Sequence, residues 1–289
     1  MLSWRQSRFV VALPVIAAVL AHVLAIGGGF TNWDDPQYLL HNQRTLDPFA
    51  GGLLQFLVTP EIDYAIPVTI LGYAGQRAAF GLDPAWFHAV SLLLHVSAVL
   101  LAFALARGLG IGRLAAAAGA ALFAVHPITV EPVAWVVGQK DLLATVFLLA
   151  ALVIRAKSIT PTRIAMTIGF ALLAFGAKPS AVSAPVLIMA VDWCRGRSWK
   201  QLSNASVYAV LFLLALSATA LAIIGHSDIE HPATFGLSTI VNVGWAASLQ
   251  LGHLLAPMSL SAAYYPPSGL VYGVYVVLGL VAALALALA

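Results

Sequence analysis

Residues 86–106 read WFHAVSLLLHVSAVLLAFALA, a run of apolar and small residues that contains no aspartate, glutamate, lysine or arginine. About 20 predominantly apolar residues form an α-helix that crosses the hydrocarbon core of a bilayer, so this run predicts a membrane-spanning helix. Comparable runs lie near residues 9–26, 114–130, 141–154, 163–177, 181–193, 206–225 and 270–289. The segment 237–256 is either a further span or an interfacial helix. The sequence therefore predicts an all-α, polytopic membrane helical bundle of about eight to nine helices.

The composition of the whole chain agrees with this prediction. Apolar residues make up 61% of the 289 residues and charged residues only 9%, whereas a soluble domain has about 25% charged residues. The net charge of +3 comes from short basic clusters between apolar runs, so no nucleic-acid partner is expected. The single cysteine, Cys194, excludes an intrachain disulfide and a cysteine-based zinc site.

The basic residues indicate how the helices are oriented. If the N-terminus is cytoplasmic, the cytoplasmic loops hold ten of the fourteen lysines and arginines: Arg5, Arg8, Arg107, Arg113, Arg155, Lys157, Arg163, Arg195, Arg197 and Lys200. Cytoplasmic loops are enriched in Lys and Arg, so this partition favours that orientation through residue 200. Residues 27–85 then form a large first outer loop, and ten of the eleven acidic residues face outward. This asymmetry suggests that the extracytoplasmic face carries the chemistry.

The first outer loop contains two apolar stretches, Pro48–Val58 and Ile66–Phe80, that are too short to cross a bilayer. We expect interfacial helices there. The loop also contains NWDDPQY at 32–38, with the adjacent carboxylates Asp34 and Asp35. Such a pair can position an acceptor hydroxyl, act as a general base or help to bind a divalent ion. The alternative is a simple turn, since Asn and Asp-Pro favour turns.

A second group of polar residues interrupts apolar sequence between residues 126 and 141. It consists of His126, Glu131, Lys140 and Asp141. Ionisable groups at the end of a membrane helix are costly unless they are paired or functional, so these four are candidate substrate-binding residues. The alternative is structural: Glu131 pairs with Lys140, and His126 caps a helix.

Lys178 stands alone in a short polar break, AKPS at 177–180, between two predicted spans. An ammonium group in an outer turn can meet a phosphate as a point charge, although a lysine at a helix end also snorkels to the interface without a partner. His88 and His95 lie seven residues apart on one face of the helix predicted at 86–106. They are too far apart for joint metal ligation, so we expect interhelical hydrogen bonds. His88 lies near enough to the outer end to contact a substrate.

These motifs occur in one order along nearly the whole chain. They read FTNWDDP at 30–36, FH at 87–88, LH at 94–95, LFAVHP at 122–127, EPVAW at 131–135, KDLL at 140–143, KPS at 178–180, LAP at 255–257 and YP at 265–266. Together they resemble the membrane domain of the transmembrane and tetratricopeptide-repeat O-mannosyltransferases and their bacterial relatives. The stretch 126–141 is the most specific part of this resemblance.

The resemblance implies the fold of the C superfamily of glycosyltransferases, with an active site on the extracytoplasmic face and a polyprenyl-phosphate sugar as donor. It also implies an acidic motif in the first outer loop, which Asp34 and Asp35 match. Glu131, Lys140 and Lys178 match charged positions of the family. Their roles there are our own interpretation.

Transfer from such a donor needs a base for the acceptor hydroxyl and a cation near the departing lipid phosphate. One carboxylate of the acidic motif would supply the base, and Lys178, Lys140 or Arg44 would supply the cation. No cofactor is expected, while a requirement for a divalent metal is left open.

Two features depart from the family. The segment 65–69 reads AIPVT, where many bacterial relatives have Trp-His-Pro-Leu-Thr, so any contact of that histidine is missing. Residues 1–289 contain the membrane domain but none of the tetratricopeptide repeats that normally follow it. Because the sequence stops within an apolar run, we expect a fragment of a longer protein.

The leading function is therefore the transfer of a hexose, most simply mannose, to a serine or threonine of an exported protein. The partners would be membrane lipid, the lipid-linked sugar and the acceptor, in a bacterial inner membrane rather than the endoplasmic reticulum. A transporter and a non-catalytic membrane scaffold are the alternatives. A transporter would typically carry ionisable groups near the bilayer midplane and show internal repeats. In this sequence the charges fall at the predicted helix ends, and no internal repeat is visible.

Overall fold

The computed structural model describes residues 4–62, 64–198, 202–225, 237–258, 260–261, 264, 273 and 277. These residues form helices and loops, with no β-strand among them. The α-helices, in chain order, are α1 (Trp4–His22), α2 (Gly52–Val58), α3 (Pro67–Phe80), α4 (Pro84–Gly108), α5 (Arg113–Val125), α6 (Val130–Ala134), α7 (Gln139–Arg155), α8 (Pro161–Ala177), α9 (Ala184–Cys194), α10 (Leu202–Gly225) and α11 (Leu237–Leu255). Contacts divide the chain into Met1–Asp228, which contains α1–α10, and Ile229–Ala289, which contains α11.

Four helical segments of the described chain are long and apolar enough to cross a membrane. They are Val10–Gly27, Pro84–Gly108, Val136–Arg155 and Asn204–Leu221. A fifth is added if α5 and the following bent segment count as one span, and two shorter apolar helices cover Pro161–Ala177 and Pro179–Cys194. The predicted all-α, polytopic membrane helical bundle is confirmed. The span predicted at 270–289 lies outside the described residues apart from Gly273 and Val277.

Helix α4 covers the run 86–106 and extends it by two residues at each end. The Asp83 carboxylate caps its first turn by accepting the Ala85 N–H at 3.0 Å. Pro84 occupies the first helical position, where a missing N–H costs nothing. The chain leaves the helix through Gly110, whose φ of +91° favours glycine.

The span predicted at 114–130 is not one continuous helix, because α5 ends at Val125. Pro127 has no N–H to continue the helix. Its ring also disfavours helical backbone angles at the preceding residue, His126. His126 is accordingly extended, with ψ of 130°. The next segment, Pro127–Ala134, leaves at an angle of 54° to α5.

Two histidines satisfy the carbonyl that this break exposes. The Nε2 atoms of His22 and His95 lie 3.2 and 3.0 Å from the Ala124 oxygen, and the two rings meet edge to face at 4.8 Å. The predicted role of His95 in an interhelical hydrogen bond is thus confirmed. The contact joins α1, α4 and the end of α5 inside the bundle.

Arg155, the last residue of α7, and Asp192, near the end of α9, form a buried ion pair. The Arg155 Nε atom lies 2.8 and 2.9 Å from the two carboxylate oxygens, and both side chains are 2% exposed. Asn204 accepts from the same guanidinium at 2.6 Å, and Arg197 donates to Asp192 at 2.9 Å. This network fixes the first turn of α10 against α7 and α9.

Candidate active site

A small apolar core holds the first loop against the beginning of α4 and the segment that precedes α7. Its buried members are Tyr38, Leu39, Phe56, Ile66, Ile70, Tyr73, Phe87, Val136 and Val137. Because residues 36–40, 66–73 and 136–137 contribute together, this core places the acidic motif directly beside the start of α7.

Asp35 is fully buried and is held by hydrogen-bond donors from two parts of the chain. Its Oδ2 atom accepts the Thr31 N–H at 2.6 Å and the Thr31 hydroxyl at 3.1 Å. Its Oδ1 atom accepts the Val137 N–H at 3.3 Å. The Asp35 carboxylate therefore links the acidic motif to residues 102 positions further along the chain.

Asp34 has a different environment. Its side chain is partly exposed, and within the described part of the chain it makes no hydrogen bond or ion pair. Its backbone carbonyl accepts the N–H groups of Gln37 and Tyr38 at 3.0 and 2.9 Å, so the motif is also a turn. The carboxylate of Asp34 thus has room to accept a hydrogen bond from a bound molecule.

Lys140 lies in the first turn of α7 and is only 7% exposed. Its Nζ atom lies 4.5 Å from the ring centroid of Tyr38, 5.7 Å from that of Trp135 and 5.9 Å from that of Tyr64. Aromatic ring faces stabilise a cation at these distances. Lys140 is therefore positioned by aromatic residues from the acidic motif, the first loop and the segment before α7.

The start of α7 is fixed by a buried pair of amides. Gln139 donates to the Phe87 carbonyl at 2.7 Å and accepts from Gln76 at 2.9 Å. The preceding Gly138 leaves no room for a side chain, because a Cβ atom there would lie 2.7 Å from the backbone of Pro132. Sequence reasoning missed these two glutamines, although the position of Gln139 next to Lys140 was a signal.

Lys178 forms an ion pair with Asp141, with 2.5 Å between Nζ and Oδ1. Both side chains are partly exposed, at 23% for the lysine and 39% for the aspartate. The turn that carries Lys178 is tied down because the Thr69 hydroxyl donates to the Ala177 carbonyl at 2.9 Å. Lys178 therefore has a partner, and the picture of a lysine that only snorkels is wrong.

A groove of about 220 Å³ lies beside the turn that contains Lys178, with residues on either side of the lysine in its wall. Its lining is mostly apolar: Leu57, Tyr64, Ala65, Pro67, Leu172, Phe175, Gly176, Pro179, Leu214, Ser217, Ala218 and Leu221. The groove thus runs between the first loop, the end of α8 and the face of α10.

The remaining predicted residues of the second group do not form the alternative pair. Glu131 is exposed and has no ion-pair partner among the described residues, so its proposed pairing with Lys140 is wrong. His126 does cap the following turn, since its Nδ1 atom accepts the Ile128 N–H at 3.2 Å. That half of the structural alternative is confirmed.

His88 is buried near the start of α4. Its Nε2 atom lies 3.3 Å from the carbonyl of Gly29, which belongs to the loop after α1 and not to a helix, so the hydrogen bond predicted between helices is here made to a loop. Its Nδ1 atom is buried without a hydrogen-bond partner among the described residues. A contact of His88 with a substrate remains a prediction.

Arg44 is committed to the first loop itself. It pairs with Glu61 and donates to the carbonyls of Phe56 and Thr59 at 2.7 and 3.0 Å. Burial raises the pKa of Glu61, while the hydrogen bond from Asn42 and the charge of Arg44 oppose that shift. Because its donors already have partners, Arg44 is less suited to binding a phosphate than Lys178.

The structure thus brings the three motifs into one chain of contacts. Asp35 contacts Val137, Tyr38 contacts Lys140, and Asp141 contacts Lys178. Arg44 lies in a separate contact within the first loop. The acidic motif, the buried Lys140 and the Asp141–Lys178 ion pair beside the apolar groove are therefore linked through the beginning of α7.

No family model matches this chain, and no solved structure matches it. The chain is 33% identical over 181 residues to the protein O-mannosyl-transferase Tmtc1 of Drosophila melanogaster, a match that covers 59% of this chain and 21% of that relative. It is 37% identical over 141 residues to Tmtc2 of the same organism, covering 45% of this chain and 15% of the relative. Human TMTC1 is 37% identical over 86 residues, covering 29% and 10%.

This chain spans about a fifth or less of the length of each of these relatives. The partial matches are nevertheless all to proteins named protein O-mannosyl-transferase. They support a relationship between this membrane helical bundle and the protein O-mannosyl-transferases of the TMTC group.

Proposed function

We propose that this chain transfers a hexose, most simply mannose, from a polyprenyl-phosphate sugar to a serine or threonine hydroxyl of an exported protein. One observation carries the proposal: Asp35, the neighbour of the partly exposed Asp34, contacts Val137 just before α7. The first turn of α7 carries Asp141, which pairs with Lys178, and an apolar groove lies beside the turn that contains Lys178. The name of the matched relatives, protein O-mannosyl-transferase, supports the same reaction class.

Asp34 is the better candidate for the general base. In the reaction the acceptor oxygen bonds to the anomeric carbon, the bond from that carbon to the phosphate oxygen breaks, and the acceptor proton passes to a carboxylate. Both oxygens of Asp35 already accept hydrogen bonds inside the protein. Asp35 would therefore position the motif while Asp34, which is partly exposed, takes the proton.

Lys178 is the better candidate for stabilising the departing lipid phosphate. Its ammonium group is partly exposed, and a lysine acts on phosphate as a mobile point charge. The adjoining groove has the apolar lining that the first isoprene units of a donor would need. Asp141 would hold the ammonium group until the donor phosphate arrives and shares it.

A divalent ion fits these residues poorly. The described part of the chain contains no group of three or more His, Cys, Asp or Glu side chains that could hold a metal. The oxygens of Asp35 are engaged by N–H and O–H donors, whereas a hard cation needs several free oxygen ligands. The mechanism therefore contains no step through a metal.

We further propose that this site faces the extracytoplasmic side and has the C-superfamily arrangement, in a bacterial inner membrane. The concentration of basic residues in the alternate loops supports the orientation. The Arg155–Asp192 network belongs to the end of α7 that is remote from Lys140, so it would be cytoplasmic.

The proposal is tested with purified protein, radiolabelled polyprenyl-phosphate mannose and a peptide that contains serine and threonine. We expect label on the peptide, removed by mild base treatment that eliminates sugars from hydroxyl side chains. The corresponding glucose donor, run in parallel, identifies the hexose. The same protein is also placed in sealed vesicles. Movement of the labelled donor across the vesicle membrane, without transfer of label to the peptide, would indicate a transporter. An absence of both transfer and movement would indicate a scaffold.

A further inference from the structure

An exposed tryptophan belongs to the acidic motif. Trp33 precedes Asp34 and is 59% exposed. Its ring lies 6.4 Å from that of Trp135, measured between centroids, and the two planes are tilted by 50°. The Trp33 indole makes no hydrogen bond within the described residues. Two aromatic rings at an open angle therefore lie at the acidic motif, one of them on the residue that precedes Asp34.

The second ring of this pair is also unusual. Trp135 lies 5.7 Å from the ammonium group of Lys140, and its Nε1–H is buried without a hydrogen-bond partner among the described residues. An indole N–H normally finds a partner when it is removed from water, because leaving it unpaired costs free energy. A hydroxyl group of a bound molecule would satisfy this donor after a small rotation of the ring.

We propose that Trp33 and Trp135 form the wall that receives the hexose ring of the donor. This inference rests on the proposed function. One face of a pyranose ring is lined by C–H groups with partial positive charge, and these meet the negative face of an aromatic ring favourably. The hydroxyl groups at the ring edge would reach the Trp135 N–H. The wall thus presents the anomeric carbon close to Asp34.

The alternative role for Trp33 is that of an anchor at the membrane interface. Exposed tryptophans are enriched at membrane interfaces, where they anchor a protein without binding a ligand. Trp86 provides a matched control, since it is 50% exposed and stacks on Phe80 with 4.7 Å between ring centroids. Trp86 lies in the first turn of α4. Among the described residues its ring contact is with Phe80 and not with the acidic motif.

The test compares two lipids on the same protein. Affinities for polyprenyl-phosphate mannose and for polyprenyl phosphate without a sugar are measured for wild type and for the variants Trp33→Ala, Trp33→Phe, Trp135→Phe and Trp86→Ala. Trp33→Ala should weaken binding of the sugar-bearing lipid by roughly three- to tenfold, the size of an aromatic stacking contribution, and leave binding of the bare lipid phosphate unchanged. Trp33→Phe should retain most of the affinity, because it keeps an aromatic face.

The two variants that remain separate the roles of the rings. Trp135→Phe should weaken only the sugar-bearing lipid, since it removes the N–H but keeps a ring, and Trp86→Ala should match wild type for both lipids. An equal loss for both lipids in Trp33→Ala, or no loss, overturns the inference and identifies an interfacial anchor. Wild-type protein that binds neither lipid overturns the proposed function, and the inference with it.

Discussion

Replacing Asp34 with asparagine should separate catalysis from folding at the acidic motif. The Asp34 side chain has no hydrogen-bond or ion-pair partner among the described residues, and asparagine keeps its size and its tendency to form turns. Stability should therefore change by no more than about 0.5 kcal/mol. Loss of a positioned general base should slow transfer by about 10²- to 10⁴-fold, which corresponds to about 3–5 kcal/mol of transition-state stabilisation.

The neighbouring substitution, Asp35→Asn, provides the contrast. Three donors converge on the two oxygens of Asp35, namely the N–H and O–H of Thr31 and the N–H of Val137. Asparagine has only one acceptor oxygen, and its NH₂ group would face one of these N–H or O–H donors, which it cannot accept from. A buried donor without a partner costs about 1–3 kcal/mol, so we expect the variant to be less stable by roughly that amount.

The assay measures the initial rate of transfer at saturating donor and peptide, together with thermal unfolding in detergent. The expected pattern is a stable but inactive Asp34→Asn protein and a destabilised Asp35→Asn protein. An Asp34→Asn variant that is folded and keeps a rate within threefold of wild type would show that Asp34 is not the base. An Asp35→Asn variant as stable as wild type would refute the role of Asp35 as an anchor.

Two further predictions concern the charged contacts. Lys178→Ala should weaken donor binding by roughly two- to fivefold, since a partly exposed charge pair contributes at most about 1 kcal/mol, and should leave the KM for the peptide unchanged. Lys157→Ala serves as the control, and unchanged donor affinity in Lys178→Ala would contradict the role. Asp192→Asn should lower the free energy of unfolding by about 3–5 kcal/mol, because it leaves the buried charge of Arg155 without its carboxylate. An unfolding temperature equal to that of wild type would show that the network is dispensable.

The helices were readable from the sequence because few conformations suit a charge-free apolar run. Residues 86–106 have no alternative to a helix once they are in lipid, where every backbone polar group needs an internal partner. The end of α5 at Val125 was missed, although Pro127 was visible. Hydropathy continues through residue 130, and the local effect of a proline on the helix outweighed that pattern.

The motifs of the site could be identified from the sequence, but the contacts between them could not. The contacts of Asp35 with Val137 and of Lys178 with Asp141 join residues 102 and 37 positions apart, and tertiary packing determines them. Sequence alone could not choose between Arg44 and Lys178 as the phosphate cation, because both were basic residues in predicted outer loops. The engagement of Arg44 by Glu61 and two carbonyls is the reason that we propose Lys178 rather than Arg44 for this role.

The most direct test of the whole account is a transfer measurement in sealed vesicles that hold the protein in one known orientation. Labelled polyprenyl-phosphate mannose is supplied in the membrane, and the acceptor peptide is placed either inside or outside. We predict labelled peptide only when it is on the side opposite the N-terminus and the loops around residues 107–113, 155–163 and 195–200. Labelled peptide only on the side of the N-terminus would contradict the proposed orientation, and no labelled peptide on either side would contradict the proposed reaction.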